Sequence, residues 1–346
     1  MGTRCSQVLL ALTLILSGFG ETVCLAQSPG PSLRFNGFID AGFSFQHKYN
    51  LSNPNAAAEQ DIDWTINEIE FALEHTASKY ISTKIAINFL PGSLPTHPVG
   101  VLDYFLQEAF MRVKIPIGKK KVWKFYTEVG RFFAPPGWDA VNTAERYQIS
   151  ASFANQATPN TFTGIKFGLH NDWFDVFAYV INGWDTIADV DLDPMAGIAL
   201  SMTIGPATIG LSVTNGNEPG AVSVNLRQQN ERTTLFDLQL TLNLVNNKLI
   251  LGAEGFTLLH PDGRYWYGWL FCVHFRPNDK LGFTARTSRF DDPEKLFTNV
   301  ASQDEFSLAV LIRPQHFFTI MVEYRMDLLG FELEKHTAAI KAIYQF

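Results

Sequence analysis

The sequence predicts an all-β protein: a transmembrane antiparallel β-barrel of about sixteen strands, with fourteen as the alternative count. Three observations predict it. Segments of about ten residues alternate apolar and polar side chains with a period of two, the pattern of a strand lying between unlike solvents. Tight, turn-forming connections alternate with long ones, as in a barrel with short periplasmic turns and long external loops. The last segment, 336–346, sets Ala338, Ile340, Ala342, Tyr344 and Phe346 against Lys341 and Gln345, and the chain ends on that aromatic.

Sixteen segments follow in order: 33–46, 63–76, 80–89, 105–116, 122–132, 161–170, 173–182, 195–204, 207–214, 233–245, 248–259, 265–275, 280–289, 304–313, 317–327 and 336–346. On the first, Leu33, Phe35, Ile39, Ala41, Phe43 and Phe45 oppose Arg34, Asn36, Asp40, Ser44 and Gln46. On the tenth, Phe236, Leu238, Leu240 and Leu242 oppose Asp237, Gln239, Thr241 and Asn243. Each segment is close to the ~9–11 residues that a tilted strand needs to cross the hydrocarbon. The segments at 195–214 carry the weakest pattern, because Gly and Ala dilute it. Turn formers such as Asn171-Asp172, Gly205-Pro206 and Asn246-Asn247 sit at every second connection. The connections between them, 47–62, 90–104, 133–160, 183–194, 215–232 and 290–303, are longer. An even strand count puts both termini in the periplasm. A soluble β-sandwich shares the period but leaves the alternating connections unexplained.

Composition closes off other classes. Arg4 precedes an apolar run from Val8 to Leu16, and Cys24-Leu25-Ala26 ends on a small residue, so residues 1–26 read as a signal peptide cleaved before Gln27. That run is too short for a spanning helix, and nothing after Leu25 is apolar over about 20 residues. Residues 27–346 then form one domain, with no Ser/Gly linker dividing it. Cys5 and Cys24 fall in the leader, which leaves Cys272 alone and excludes an internal disulfide or a zinc cluster. A formal charge of −7 argues against nucleic acid as a partner. The mean hydropathy of +0.01 is what alternating faces produce. The 29 Phe suit lipid contact and interfacial girdles.

Four phrases occur in order along the chain: Gln107-Glu108-Ala109-Phe110, Gly130-Arg131-Phe132-Phe133-Ala134-Pro135-Pro136-Gly137, Val180-Ile181-Asn182-Gly183-Trp184-Asp185 and Glu323-Tyr324-Arg325-Met326-Asp327. Together they make the chain, from about Asn67 to Phe346, resemble the OmpL-like β-barrel porin family of Gram-negative bacteria. The resemblance implies a pore-forming protein of the bacterial outer membrane. It names no solute.

Charged residues on the polar parity belong in the lumen, because Arg or Lys facing lipid at the midplane costs about 2–4 kcal/mol. The inward set reads as Arg34, Lys84, Arg112, Lys114, Lys124, Lys166, Arg286, Arg325 and Lys341 against Asp40, Glu68, Glu70, Glu74, Glu108, Glu128, Asp175, Asp237, Glu254 and Glu323. Their bland role is to brace the interior by cross-barrel ion pairs; their functional role is a polar wall whose field selects solutes. The third long loop, about 133–160, carries Pro135-Pro136-Gly137, Trp138, Asp139, Glu145 and Arg146 beside Arg131, and is expected to fold inward as a constriction. The expected constriction and lumen residues are thus Arg131, Trp138, Asp139, Glu145, Arg146, Glu70, Lys84, Glu108, Arg112, Arg286, Glu323 and Arg325. Tyr344 and Phe346 are the expected signal to the barrel-assembly machinery.

Asp185, Asp189, Asp191 and Asp193 make an acidic external loop. They lack the glycine and bidentate glutamate of a dedicated calcium loop, so a solvated face, loosely bridged to lipopolysaccharide by divalent ions, is expected. No Gly-x-Ser-x-Gly elbow, His-Glu-x-x-His pair, phosphate loop or Cys-x-x-Cys-His occurs. No catalytic residue, metal or cofactor is therefore expected. The expected function is a porin passing small hydrophilic solutes or ions by passive diffusion. The alternatives are a structural or partner-binding barrel, such as the sheath of a porin–cytochrome conduit, and an outer-membrane hydrolase. Lipid, lipopolysaccharide and a homotrimer complete the expected partners, the trimer by resemblance alone.

Overall fold

The computed structural model describes residues 31–51, 58–89, 105–118, 122–187, 193–217, 232–293, 301–330 and 332–346. The expected leader, 1–26, lies outside them. Sixteen strands run β1 (Ser32–Lys48), β2 (Glu59–Thr76), β3 (Ile81–Phe89), β4 (Leu106–Ile117), β5 (Trp123–Phe133), β6 (Thr161–His170), β7 (Phe174–Trp184), β8 (Met195–Ile204), β9 (Ala207–Asn217), β10 (Arg232–Leu244), β11 (Leu249–Leu259), β12 (Tyr265–Asn278), β13 (Leu281–Asp291), β14 (Ser302–Gln315), β15 (Phe318–Leu329) and β16 (Glu332–Gln345). One short helix, α1 (Phe153–Gln156), lies in the loop between β5 and β6. Every strand pairs with its neighbours in the chain, and β16 returns to β1 to close the barrel. Closure satisfies each edge strand's backbone, which no lipid could do.

The fourteen-strand alternative falls. β8 and β9 pair from Ala196↔Asn215 to Ile204↔Ala207. Their weak pattern has a packing cause: a Cβ on Gly197 would lie 2.4 Å from the Tyr179 ring, so the glycine makes room for that side chain. The tight rim behaves as its residues dictate, with Asn246 and Asn247 in the left-handed region at φ 53° and 62°. The opposite rim is uneven, because five residues (260–264) join β11 to β12 and two join β15 to β16.

Outward residues remain exposed and apolar, among them Phe35, Trp64, Phe71, Leu238, Phe271 and Ile340. The inward face is not uniformly polar. A buried cluster of Phe132, Phe162, Tyr179, Trp184, Met195, Leu258, Trp266 and Leu270 lines the external half of β5–β13. A second one, Phe38, Ala309, Leu311, Met321 and Ile343, lines β1 and β14–β16. Both give the long loop an apolar surface on which to rest.

Candidate lumen and inward loop

The loop begins where Phe133 ends β5. Pro135 and Pro136 stiffen its first turn, and Gly137 takes a φ of 103° that side chains disfavour. This turn aims the chain across the barrel. Pro135 accepts a hydrogen bond at its carbonyl from the Gln239 amide (2.9 Å). The Trp138 indole Nε1 donates to Thr241 Oγ1 (2.9 Å), and its backbone N–H donates to Glu254 Oε2 (2.8 Å). The indole lies where a Cβ on Gly252 would stand, 2.0 Å from Cζ2, so that glycine is its socket.

Five residues later the loop has reached the other wall. Thr143 N–H donates to Glu68 Oε2 (3.1 Å), its carbonyl accepts from Lys341 Nζ (3.3 Å), and Asn142 Oδ1 accepts from the Gln107 amide (2.6 Å). β10 and β2 lie eight strands apart on a sixteen-strand ring, so residues 138–143 cross a diameter of the lumen.

The rest of the loop runs back along β12–β15. Gln148 donates to Ser307 Oγ (2.8 Å), and Glu323 accepts from the backbone N–H of Ile149 (2.6 Å) and of Ser150 (3.3 Å). Ser152 Oγ caps α1 by accepting from Asn155 N–H (3.0 Å). Arg286 is the hub: it pairs with Asp139 (3.2 Å) and Glu305 (2.6 Å) and donates to the Ser150 carbonyl (2.9 Å), with its side chain 1% exposed. Arg325 pairs with Glu305 (2.8 Å) and donates to the Ala151 carbonyl (2.6 Å). A guanidinium buried this deeply is tolerated because acids and carbonyls occupy its donors.

The remaining wall carries its own pairs. Lys84 meets Glu108, while Arg112 and Lys166 share Glu128, the latter at 2.7 Å. Glu70 is buried beside the Asn142 amide. Arg131 is buried and donates to the Asp185 carbonyl (3.1 Å), away from the crossing segment. Glu145 is exposed, whereas Arg146 donates to the carbonyls of Ala140 (2.6 Å) and Val141 (3.0 Å). Desolvation holds the Arg146 guanidinium below its ordinary range, with Asp139 and Glu68 opposing. The structure thus joins Trp138, Asp139, Arg286, Glu323 and Arg325 through the loop, and sets Lys84, Glu108 and Arg112 on the facing wall.

Asp185 departs from the solvated role expected of it. Its Oδ1 accepts from the backbone N–H groups of Asn160 (3.0 Å) and Thr161 (2.7 Å), so it caps the start of β6. Asp189 and Asp191 lie outside the described residues. Sequence reasoning did not single out Glu305, Thr241 or Gly252. Glu305 shares the inward parity of Ser307, Ala309 and Leu311, which was the available signal.

A family model described as "Putative beta-barrel porin-2, OmpL-like" matches residues 32–342. The chain belongs to this family. As an OmpL-like porin it is a protein of the bacterial outer membrane, and its closed barrel is the family's architecture. OmpF of Salmonella typhi, solved with daunomycin, matches with 10% identity over 93% of this chain and 99% of that one, at a TM-score of 0.65. OmpT of Vibrio cholerae does so with 10% identity, 93% and 99% coverage and a TM-score of 0.61. The outer-membrane channel DcaP of Acinetobacter baumannii gives 10%, 93%, 99% and 0.59. At these identities the likeness is one of fold. No curated protein sequence matches this OmpL-like porin.

Proposed function

We propose that the barrel is a narrowed diffusion channel for small hydrophilic solutes or ions, with the loop 134–160 as its constriction. One observation supports this most: residues 138–143 cross the lumen and are bonded to opposite walls. A sixteen-stranded barrel is too wide for its own side chains to fill, and here a loop narrows it. Solutes then pass on the side of β3–β9, past Lys84 and Arg112, with their partners Glu108 and Glu128 buried behind them. Mixed charges there select by field and size, and no residue is assigned a catalytic role. Single-channel recording in a planar bilayer tests this: ohmic steps are expected, and a barrel that never conducts would overturn it.

The same reading takes residues 1–26 as a leader removed on export. Tyr344 and Phe346 then engage the assembly machinery, and lipid and lipopolysaccharide surround the barrel. It also takes the working unit as a homotrimer, supported by the fold likeness to OmpT of Vibrio cholerae in its trimer form (10% identity, TM-score 0.57). Sedimentation in detergent checks the trimer, and sequencing of the mature N-terminus checks cleavage before Gln27.

A further inference from the structure

Inward cations around the mid-lumen are matched with carboxylates: Lys84 with Glu108, Arg112 and Lys166 with Glu128, Arg286 with Asp139, Arg325 with Glu305, and Lys341 with Asp40. Arg276 and Arg313, like Lys114 and Lys124 on another part of the wall, are in no ion pair among the described residues. The two arginines lie toward the periplasmic ends of β12 and β14, two residues beyond the inward-facing His274 and Leu311. Both are half-buried. The groups that act on Arg313 are Arg276 and Tyr147, and those that act on His274 are the two arginines. No carboxylate figures in either set, although Asp279 occupies the adjoining turn.

The intervening strand puts no side chain of its own between them, and the His274 ring occupies the place. β13 presents Gly282 opposite Leu311, where a Cβ would meet His274 Cε1 at 2.7 Å. The backbone N–H of Arg276 donates to the Lys248 carbonyl and that of Arg313 to the Lys280 carbonyl, each at 2.7 Å, which adds two lysines to the same rim. The loop supplies the roof: the Tyr147 ring stacks on His274 with centroids 4.3 Å apart and planes 23° apart. Thr284 Oγ1 fixes both, donating to the Tyr147 carbonyl (3.0 Å) and bonding His274 Nδ1 (2.8 Å). On β15 the nearest inward residue is Thr319, which is neutral.

Two half-buried guanidinium groups that repel each other, with no acid between them, are stabilised by an anion. Their planar forks match the oxygens of phosphate or carboxylate, and a phenol adds a neutral donor. We propose that Arg276, Arg313 and Tyr147 form a binding site for a small oxyanion, inorganic phosphate or a solute carboxylate, beneath the inward loop at the periplasmic end of the lumen. As a stop on a permeation path the site rests on the channel reading; as a binding site it stands without it.

Equilibrium binding of radiolabelled inorganic phosphate to the full folded barrel in detergent tests the proposal. Saturable binding is expected, weakened about tenfold or more in both Arg276→Gln and Arg313→Gln. Both variants should keep the heat-dependent gel mobility of a folded barrel, and Lys48→Gln, altered at the external rim, should bind like the native chain. Displacement by acetate at matched ionic strength would show that carboxylates share the site, and failure to displace would restrict it to phosphate. No saturable binding by the native chain, or unchanged binding in both folded variants, would overturn the site. A barrel that binds phosphate without conducting refutes only the channel, and one that conducts without binding refutes only the site.

Discussion

Asp40 and Lys341 stand 301 positions apart in the chain and 2.9 Å apart in the barrel, where they close the seam between β1 and β16. Each side chain is 1% exposed, and Lys341 also holds the loop through the Thr143 carbonyl. The seam and the constriction therefore share one ammonium group.

Removing one partner of such a pair leaves a buried charge unmatched, at a cost of about 3–5 kcal/mol. Lys341→Met should lower the temperature at which the barrel loses its compact gel mobility. Pairing it with Asp40→Leu should restore much of that loss. Equal melting of Lys341→Met and the native chain would remove the seam pair from the account.

Gly252 tests the constriction without touching a charge. Valine there drives a side chain into the Trp138 indole, which must leave its contact with Thr241. With one end of the crossing freed, single-channel conductance is expected to rise by about twofold, since a wider polar pore passes more ions. Unaltered conductance in a folded Gly252→Val barrel would count against the crossing segment as the narrowest point.

Selectivity should follow Glu145 rather than the net charge. Glu145 is exposed on the loop inside the lumen, whereas loop acids outside are screened over about 8 Å at physiological salt. Glu145→Lys is expected to move the reversal potential toward anions, and neutralising Asp189, Asp191 and Asp193 together to leave it nearly unchanged. The reverse pattern would assign selectivity to the external loop.

Asp185 predicts a pH dependence. Burial raises its carboxyl above the ordinary 3.8, against the bonds from Thr161 and Asn160. A raised folded-state value makes this group's contribution complete below the unfolded value and lost as pH rises through the folded one. Melting in detergent should fall through the window just above pH 3.8, and Asp185→Asn should flatten that part of the profile while keeping an acceptor for Thr161. An identical profile in the variant would exclude Asp185 as the source.

Phe346 exchanges two backbone hydrogen bonds with Gly37 (3.1 and 3.0 Å) and packs on Phe35 and Phe71, with centroids 5.8 and 6.0 Å away. Phe346→Asp should reduce the amount of folded barrel in the outer membrane far more than the amount exported to the periplasm. Fractionation showing normal outer-membrane levels would free the residue of any role in assembly.

The strands were legible because most of them must show unlike faces to unlike solvents. β12 shows where that reasoning weakens: Trp266, Leu270 and Cys272 point inward while Tyr265, Tyr267, Trp269 and Phe271 point outward, so both faces are apolar. The apolar patch inside the barrel was invisible for this reason. The loop's length and position suggested that it folds inward, but its docking points were not readable. Trp138 bonds a residue 103 positions away and Ile149 one 174 positions away, and such pairings leave no local period. Asp185 was misjudged because its neighbours in sequence are acidic, whereas its carboxylate turns back to cap a strand.

The diametral crossing also has a mechanical consequence. A hollow sixteen-stranded cylinder flattens easily, since each strand pair can hinge along its ladder. A strut bonded at β10–β11 and at β2 holds that span, and because sixteen paired strands set the perimeter, it resists flattening along either axis. Bilayer tension would then alter the shape of this aperture much less than that of an unbraced barrel, making the size cut-off a property of the protein rather than of the surrounding lipid.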